Sequence, residues 1–167
     1  MKKILFIAWL CILAACSTPE NTAVTKTSMS SEEILAKIHA SNSVSNEVAF
    51  QAMPDEAVLD LRDKAQQAQT NGKLDQAQTL LKQALIINAR DPEAMQMLAE
   101  IAILQNSYAS AEHLAFSSYQ AGPKLGGLCR RNWLTIHYAK AAQGLPNSEV
   151  QLAKRLAECT IVPPARM

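Results

Sequence analysis

The sequence is poor in the residues that build sheets. Its 167 residues include 5 glycines, and aromatic side chains make up 5% of the chain, although hydrophobic residues reach 49%. A β-sandwich draws its core from β-branched and aromatic residues, and no strand-like alternation of apolar and polar residues stands out. Alanine fills many of the apolar positions instead, which suits helices packed at short distance. We therefore predict an all-α fold.

The sequence as a whole also has almost no excess of basic over acidic residues. Its formal net charge is +1, and loss of residues 1–15 with their two lysines would leave 14 basic and 15 acidic side chains. A nearly neutral protein has no electrostatic basis for binding nucleic acid. The charge is uneven, at −6 over residues 16–123 and +5 over residues 124–167. The basic end is either a set of solvated helix faces or a patch that attracts an acidic partner.

Catalytic and metal-binding patterns are missing as well. The chain has no G-x-S-x-G, no H-E-x-x-H, no phosphate-binding loop and no dinucleotide fingerprint. His39, His113 and His137 are isolated from one another in sequence. Carboxylate pairs such as Glu32-Glu33 lie at predicted helix starts, where the helix dipole accounts for them. We predict that the protein is not an enzyme and has no metal, no cofactor and no small-molecule substrate.

The N-terminus has the pattern of an export signal. Residues 1–3 are charged, and residues 4–12 form an apolar stretch of nine residues, too short to span a bilayer. Leu13-Ala14-Ala15-Cys16 follows and resembles the lipobox of bacterial lipoproteins, which implies cleavage before Cys16 and acylation of its thiol. Ser17 stands where an aspartate would retain a family member in the inner membrane. The resemblance implies a lipid anchor in the outer membrane, facing the periplasm, as the sole membrane contact.

Residues 16–53 are predicted to be a mostly disordered tether. Residues 17–30 are rich in Ser, Thr, Asn and Pro and cannot bury enough surface to order themselves. Residues 31–40 predict a short helix with Ile34 and Ile38 on one side, marginal on its own at about ten residues. Fully extended, residues 17–53 would span about 120 Å. One interpretation is a tether whose length lets the domain leave the membrane surface, and the alternative is a plain spacer of no particular length.

Two helical hairpins recur at a spacing of 34 residues between Leu59 and Pro123. Ala65 recurs as Ala99, Ala68 as Ala102, and Ala77 as Ala111. The predicted helices cover about 54–70, 74–88, 91–105 and 108–120, with Gly72 and Asn106 at equivalent turns. A repeat of this length is typical of stacked helix pairs.

This layout resembles the tetratricopeptide repeat, a helix-turn-helix of 34 residues. The small residues of that family match Ala65, Ala77 and Ala84 in the first unit and Ala99, Ala111 and Ser118 in the second. Pro123 falls on its terminal proline, but Leu61 and Met95 stand where it has tryptophan. The resemblance implies a domain of about three antiparallel helix pairs over residues 54–160. An ordinary helical bundle is the alternative.

In the resembled family, the first helices of the pairs line a groove that holds a protein partner. Transferred by position, the partner-binding residues of this chain are Arg62, Gln66, Gln69, Gln96, Glu100 and Ile103, with Arg131 and Tyr138 in the less regular third pair. The alternative for each position is an ordinary solvated side chain.

The third hairpin carries two cysteines. Its helices are predicted over about 129–143 and 149–159, the second of them burying Val150, Leu152 or Ala153, and Leu156. Cys129 and Cys159 lie equally far from the turn near Asn147, so folding the hairpin brings them side by side. An oxidising periplasm would permit a disulfide, and we predict this bridge; two buried thiols are the alternative. Residues 161–167 are predicted to be an extended tail.

The combination of anchor, tether and small repeat domain resembles the LpoP-type lipoproteins, which activate a class A (bifunctional) penicillin-binding protein. The resemblance implies a non-catalytic protein that reaches through the peptidoglycan and stimulates the synthase. A pilotin-like assembly factor that escorts a secretin is one alternative, and a general scaffold for an envelope complex is another.

Overall fold

The computed structural model describes residues 29–40 and 55–160, and the regular structure in these two ranges is entirely helical. The helices are α1 (Ser31–Ala40), α2 (Glu56–Thr70), α3 (Leu74–Ile87), α4 (Pro92–Leu104), α5 (Tyr108–Ala121), α6 (Gly127–Gln143) and α7 (Glu149–Glu158). The all-α prediction is confirmed, and each helix begins and ends within two residues of its predicted bounds. The predicted signal peptide, Cys16, most of the tether and the tail lie outside the described residues. Among the helices described, none has the length and apolar character needed to cross a membrane.

The first two hairpins, α2–α3 and α4–α5, turn through the same backbone geometry. Gly72 has a φ of 72°, and the amide of the next residue donates to Ala68 O at 2.9 Å. At the position 34 residues later, Asn106 has a φ of 56°, and the next amide donates to Ala102 O at 2.8 Å. Asparagine is one of the few residues that adopts this left-handed conformation at low cost. The 34-residue period therefore holds at the level of single hydrogen bonds.

Small side chains lie where the helices of each pair cross. The fully buried alanines at these crossings are Ala65, Ala77, Ala84, Ala99 and Ala111. Ser118 takes the place of an alanine in the second pair and is also fully buried. Its hydroxyl donates to Pro92 O at 2.6 Å, so the substitution leaves no unpaired polar group.

The third pair, α6–α7, is held by a covalent bond. Cys129 and Cys159, the pair that the sequence predicts, form a disulfide with a Cα–Cα distance of 5.6 Å. Gly126 N also donates to Cys159 O at 2.8 Å. No residue of α7 itself is fully buried. The bridge therefore fixes a helix that has little core of its own.

The predicted buried face of α7 needs one correction. Leu152 and Leu156 are half-buried, but Val150 is 80% exposed and Ala153 is exposed. Leu152, Leu156 and Cys159 are spaced by four and three residues and share one face. Val150 is two positions from Leu152, about 200° around the helix, and faces solvent.

Helix α1 packs against α4 and α6. Ile34 and Ile38 are fully buried and lie in one apolar cluster with Ala102, Ile103 and Leu134. The opposite face of α1 is exposed. The sequence assigned this helix to the tether, whereas in the structure it is seated on the repeat domain.

We expect Ala77→Leu to lower the free energy of unfolding by about 1–3 kcal/mol, because a larger side chain overpacks the fully buried crossing of α2 and α3. Urea denaturation followed by circular dichroism measures the loss. Gln76→Leu adds a leucine at the exposed neighbouring position and is the matched control. Equal stability of the two variants would contradict the close helix approach.

We expect loss of the disulfide to destabilise the protein by roughly 3–4 kcal/mol, because the bridge closes a loop of 30 residues in the unfolded chain. The variant is the double change Cys129→Ala and Cys159→Ala, measured by urea denaturation. Thiol alkylation without reductant should label neither cysteine in the purified mature protein. Labelling of both would contradict the bridge.

Candidate protein-binding groove

A line of polar side chains runs along the faces of α4 and α6 that meet each other. Glu93, Gln96 and Glu100 are spaced by three and four residues on α4, so they share one side of that helix. Arg131 and Thr135 are spaced by four residues on α6. Helix α1 packs against both helices. The surface between α4 and α6, including the part that α1 covers, is called the groove below.

The polar side chains of the groove form a connected network. Arg131 pairs with Glu93 through Nη1 and donates to Glu100 Oε1 from Nη2 at 2.7 Å and from Nε at 2.9 Å. Gln96 Nε2 donates to Glu100 Oε1 at 2.9 Å and to Thr135 Oγ1 at 2.8 Å. The Glu100 side chain is 1% exposed and the Arg131 side chain 12%. A buried ion pair of this kind is held by its hydrogen bonds as much as by its charges.

The environment keeps both charged groups ionised. Burial by itself would raise the pKa of Glu100, but the hydrogen bond from His39 and the charge of Arg131 outweigh it and hold that pKa below its ordinary value. Burial by itself would lower the pKa of Arg131, but the two carboxylates beside it raise that pKa. Glu100 is therefore a carboxylate that accepts hydrogen bonds, not a proton donor or a general base.

Helix α1 supplies the remaining contact of Glu100. His39 Nε2 lies 2.9 Å from Glu100 Oε2. Since an ionised carboxylate can only accept, the imidazole is the donor. The His39 side chain is 43% exposed, whereas Glu100 is buried. The contact thus joins a surface residue of α1 to a buried acceptor of the repeat.

The other half of the groove is apolar. Ile103 is fully buried in the cluster that receives Ile34 and Ile38, and Tyr138 packs against this cluster while half-buried. Burial raises the pKa of Tyr138, with a smaller contribution from the charge of Glu149. The groove therefore has two apolar sites, which Ile34 and Ile38 of α1 fill, beside the carboxylate oxygen Oε2 of Glu100.

The structure brings five of the eight predicted partner-binding residues together. Gln96, Glu100, Ile103, Arg131 and Tyr138 all lie in the groove. Three of them, Gln96, Glu100 and Ile103, are buried in the described chain and are not the solvent-facing residues that an open groove implies. The physical reason is that α1 and α6 pack over this side of α4.

The remaining three predicted residues lie on α2, away from the network. Arg62 is half-buried, and its Nη1 lies 3.6 Å from Asp91 Oδ2 at the start of α4. Gln66 is exposed, and Gln69 is half-buried. This part of the surface is open to solvent at Gln66 but carries none of the groove's hydrogen bonds.

Sequence reasoning missed three residues of the groove. Glu93 had a usable signal, since its spacing from Gln96 and Glu100 places it on the same helix face. Thr135 and His39 had no comparable signal, because the contacts that involve them join positions 39 and 61 residues apart.

Outside the groove, a concavity of about 230 Å³ lies between α6 and α7. Its rim carries His137, Lys140 and Arg155. His137 Nε2 lies 3.1 Å from Glu149, Lys140 Nζ 3.6 Å from Glu112, and Arg155 Nη1 3.0 Å from Glu158. Lys140 and Arg155, two of the seven basic residues of segment 124–167, therefore already have acidic neighbours in the chain, and the basic patch for an acidic partner stays a prediction. In the described ranges, no group of acidic, histidine or cysteine side chains could hold a metal ion.

Comparison with known proteins identifies the class of fold. A family model described as "Tetratricopeptide repeat" matches residues 68–116, which span the end of α2 to the middle of α5. Comparison with curated protein sequences gives no match. The family match agrees with the 34-residue period and with the paired helices of the structure.

A solved structure narrows the similarity further. The globular C-terminal domain of P. aeruginosa LpoP is similar to this chain with a TM-score of 0.54 and 28% sequence identity. The similarity covers 64% of this chain and 98% of that domain. The chain therefore has a fold like those of the tetratricopeptide repeat and LpoP, and both similarities indicate a helical protein-interaction domain.

We expect Glu100→Gln to lower the free energy of unfolding at pH 7 by about 3 kcal/mol, because it removes one partner of a buried ion pair. The folded-state pKa of Glu100 is lowered, so its contribution is complete above the unfolded pKa of about 4.3. It fades as the pH falls below that value through the folded pKa. Urea denaturation at neutral and acidic pH should show the two proteins converging in acid.

Asp60→Asn is the control for this prediction. Asp60 pairs with Lys64 at 2.6 Å on the exposed face of α2. Such a pair contributes about 0.5 kcal/mol or less. A loss in Glu100→Gln as small as that in Asp60→Asn, or one that does not change with pH, would contradict the role given to Glu100.

Proposed function

We propose that the protein is an outer-membrane lipoprotein that binds and activates a class A penicillin-binding protein from the periplasmic side. It does so without chemistry of its own, through its helical domain. The observation that carries the proposal is the similarity to the LpoP domain over 98% of that domain. The resemblance of Leu13-Ala14-Ala15-Cys16 to a lipobox supports the same location, since a lipobox is the signal of an anchored lipoprotein.

The geometry of the domain agrees with a binding function. Glu100 is held as an ionised acceptor by Gln96, Arg131 and His39, an arrangement that fixes a polar contact point in the groove. The groove combines apolar sites with a fixed polar group, which is the usual composition of a site for a helical peptide segment. A protein partner is therefore the ligand that these side chains suit.

We expect the purified protein to raise the rates of glycan polymerisation and peptide crosslinking by a purified class A synthase. The full mature chain with Cys16→Ser is the test protein, because it lacks the acyl anchor and keeps the domain. Its effect should saturate with concentration, as a binding interaction requires. An unchanged synthase rate at saturating concentration would contradict the proposal.

Experiments in cells separate the proposal from its alternatives. Crosslinking of envelopes should recover the synthase with the wild-type protein, whereas recovery of a secretin without a synthase would favour the assembly factor. Exporting residues 17–167 behind a cleavable signal peptide that lacks the lipobox should place the protein in the soluble periplasm instead of the membrane fraction and abolish activation in cells. The same protein should still activate the purified synthase, because the anchor supplies location and not contact.

A further inference from the structure

The groove presents a hydrogen-bond acceptor to the segment that lies over it. Glu100 Oε1 accepts from Gln96 and twice from Arg131, whereas Oε2 faces His39 of α1. Gln96 is in turn tied to Thr135 at 2.8 Å. Helices α4 and α6 thus hold the carboxylate in position without help from α1. The occupant of the groove supplies the donor for Oε2.

Helix α1 has the properties of a bound ligand. It has 10 residues, and its fully buried apolar side chains are Ile34 and Ile38, one turn apart. A helix of this length is marginal in water by itself, so α1 is helical because it is docked. In sequence, 15 residues separate it from the start of α2, which leaves enough chain for it to leave the groove without unfolding the repeats.

We propose that α1 is an internal ligand of the groove, and that the binding partner replaces it with an amphipathic helix of the same chemistry. That helix carries two apolar residues four positions apart, for the sites of Ile34 and Ile38. A hydrogen-bond donor follows at the next position, for Glu100 Oε2. This inference rests on the proposed function in one respect, namely that the partner is the synthase.

Competition by α1 reduces the apparent affinity for the partner. A segment attached to the same chain acts at a high effective concentration, so the free protein keeps its groove largely filled. The apparent affinity falls by the fraction of molecules whose groove is open. A groove open in one molecule in ten would bind its partner about tenfold more weakly than an open one.

Release of α1 also increases the number of residues that can span the distance between the anchor at Cys16 and the repeat domain. With α1 docked, 13 residues lead from Cys16 to Met29, a maximum span of about 43 Å. With α1 released, 39 residues lead from Cys16 to Asp55, a maximum span of about 130 Å. Exchange of α1 for the partner therefore extends the reach of an anchored domain at the moment it binds.

The first experiment tests whether α1 leaves the groove while the repeats stay folded. Amide hydrogen exchange of the Cys16→Ser mature chain should show α1 exchanging at least tenfold faster than the slowest amides of α4 and α6. Exchange of α1 at the rate of those amides would show that it opens only with the whole domain, and would overturn the proposal.

The second experiment measures partner affinity after release of α1. The release variant is Ile34→Asn with Ile38→Asn, and the matched control is Ala36→Asn with Lys37→Asn on the exposed face. The release variant should bind the purified class A synthase more tightly than wild type and the control, by about tenfold for a groove that is open in one molecule in ten. Equal affinity in all three proteins would overturn the proposal, and so would weaker binding by the release variant.

A second variant that frees the groove of α1 checks that the gain in affinity does not come from misfolding of the repeats. Replacing residues 31–40 by a Gly-Ser segment of equal length should give the same gain in affinity. Hydrogen exchange in α4 and α6 should remain slow in both released proteins. Loss of that protection would show that α1 is an integral part of the core, and would overturn the proposal.

The third experiment tests the chemistry of the occupant. A photo-crosslinking amino acid at Tyr138, which borders the apolar sites, should capture a segment of the synthase in the release variant. The captured segment should contain two apolar residues four apart followed by His, Lys or Arg. A captured segment without this pattern would overturn the proposal.

Failure of the synthase to bind or respond to any of these proteins would instead contradict the proposed function. The hydrogen-exchange experiment tests the release of α1 independently of the synthase.

Discussion

Close approach of helices, permitted by alanine, is the constraint on which the stack depends. Ala65 and Ala77 are fully buried where α2 and α3 cross, and Ala99 and Ala111 occupy the equivalent places in α4 and α5. Small side chains allow paired helices to pack at the near end of about 8–10 Å. The larger apolar residues then fill the spaces between pairs. Each hairpin buries its apolar face against the next, as a repeat architecture requires.

The buried network of Glu93, Glu100 and Arg131 adds specificity to this packing. Alanine contacts fix a distance but tolerate sliding, whereas a buried carboxylate must meet its donors at defined positions. The network links α4 to α6 across the irregular junction after α5, where the 34-residue period ends. Its contact with α1 through His39 gives that helix a defined place. The same polar side chains thus position both the third hairpin and the occupant of the groove.

Local signals predicted most of the fold and a smaller part of the site. The alanine spacing, Gly72 and Asn106 located the helices and turns, because each acts over a few residues. The pairing of Cys129 with Cys159 followed from their distance to one turn. The burial of Gln96, Glu100 and Ile103 could not be predicted in this way, because it depends on where α6 and α1 pack, and 15 residues separate α1 from the repeats. Val150 was misassigned since α7 has a narrow buried face, set by Leu152, Leu156 and Cys159.

Because the Cys129–Cys159 disulfide joins α6 to α7, the attachment of the last helix depends on whether the surroundings are oxidising or reducing. Helix α7 has no fully buried residue of its own, and Leu152 and Leu156 are half-buried. In a reducing cytosol the cysteines would stay as thiols, and the last helix would be attached by those two leucines and a few polar contacts. The finished stack is therefore a product of oxidation. A chain kept in a reducing compartment would hold its last helix by noncovalent contacts alone, and an end of that kind is where proteases cut first.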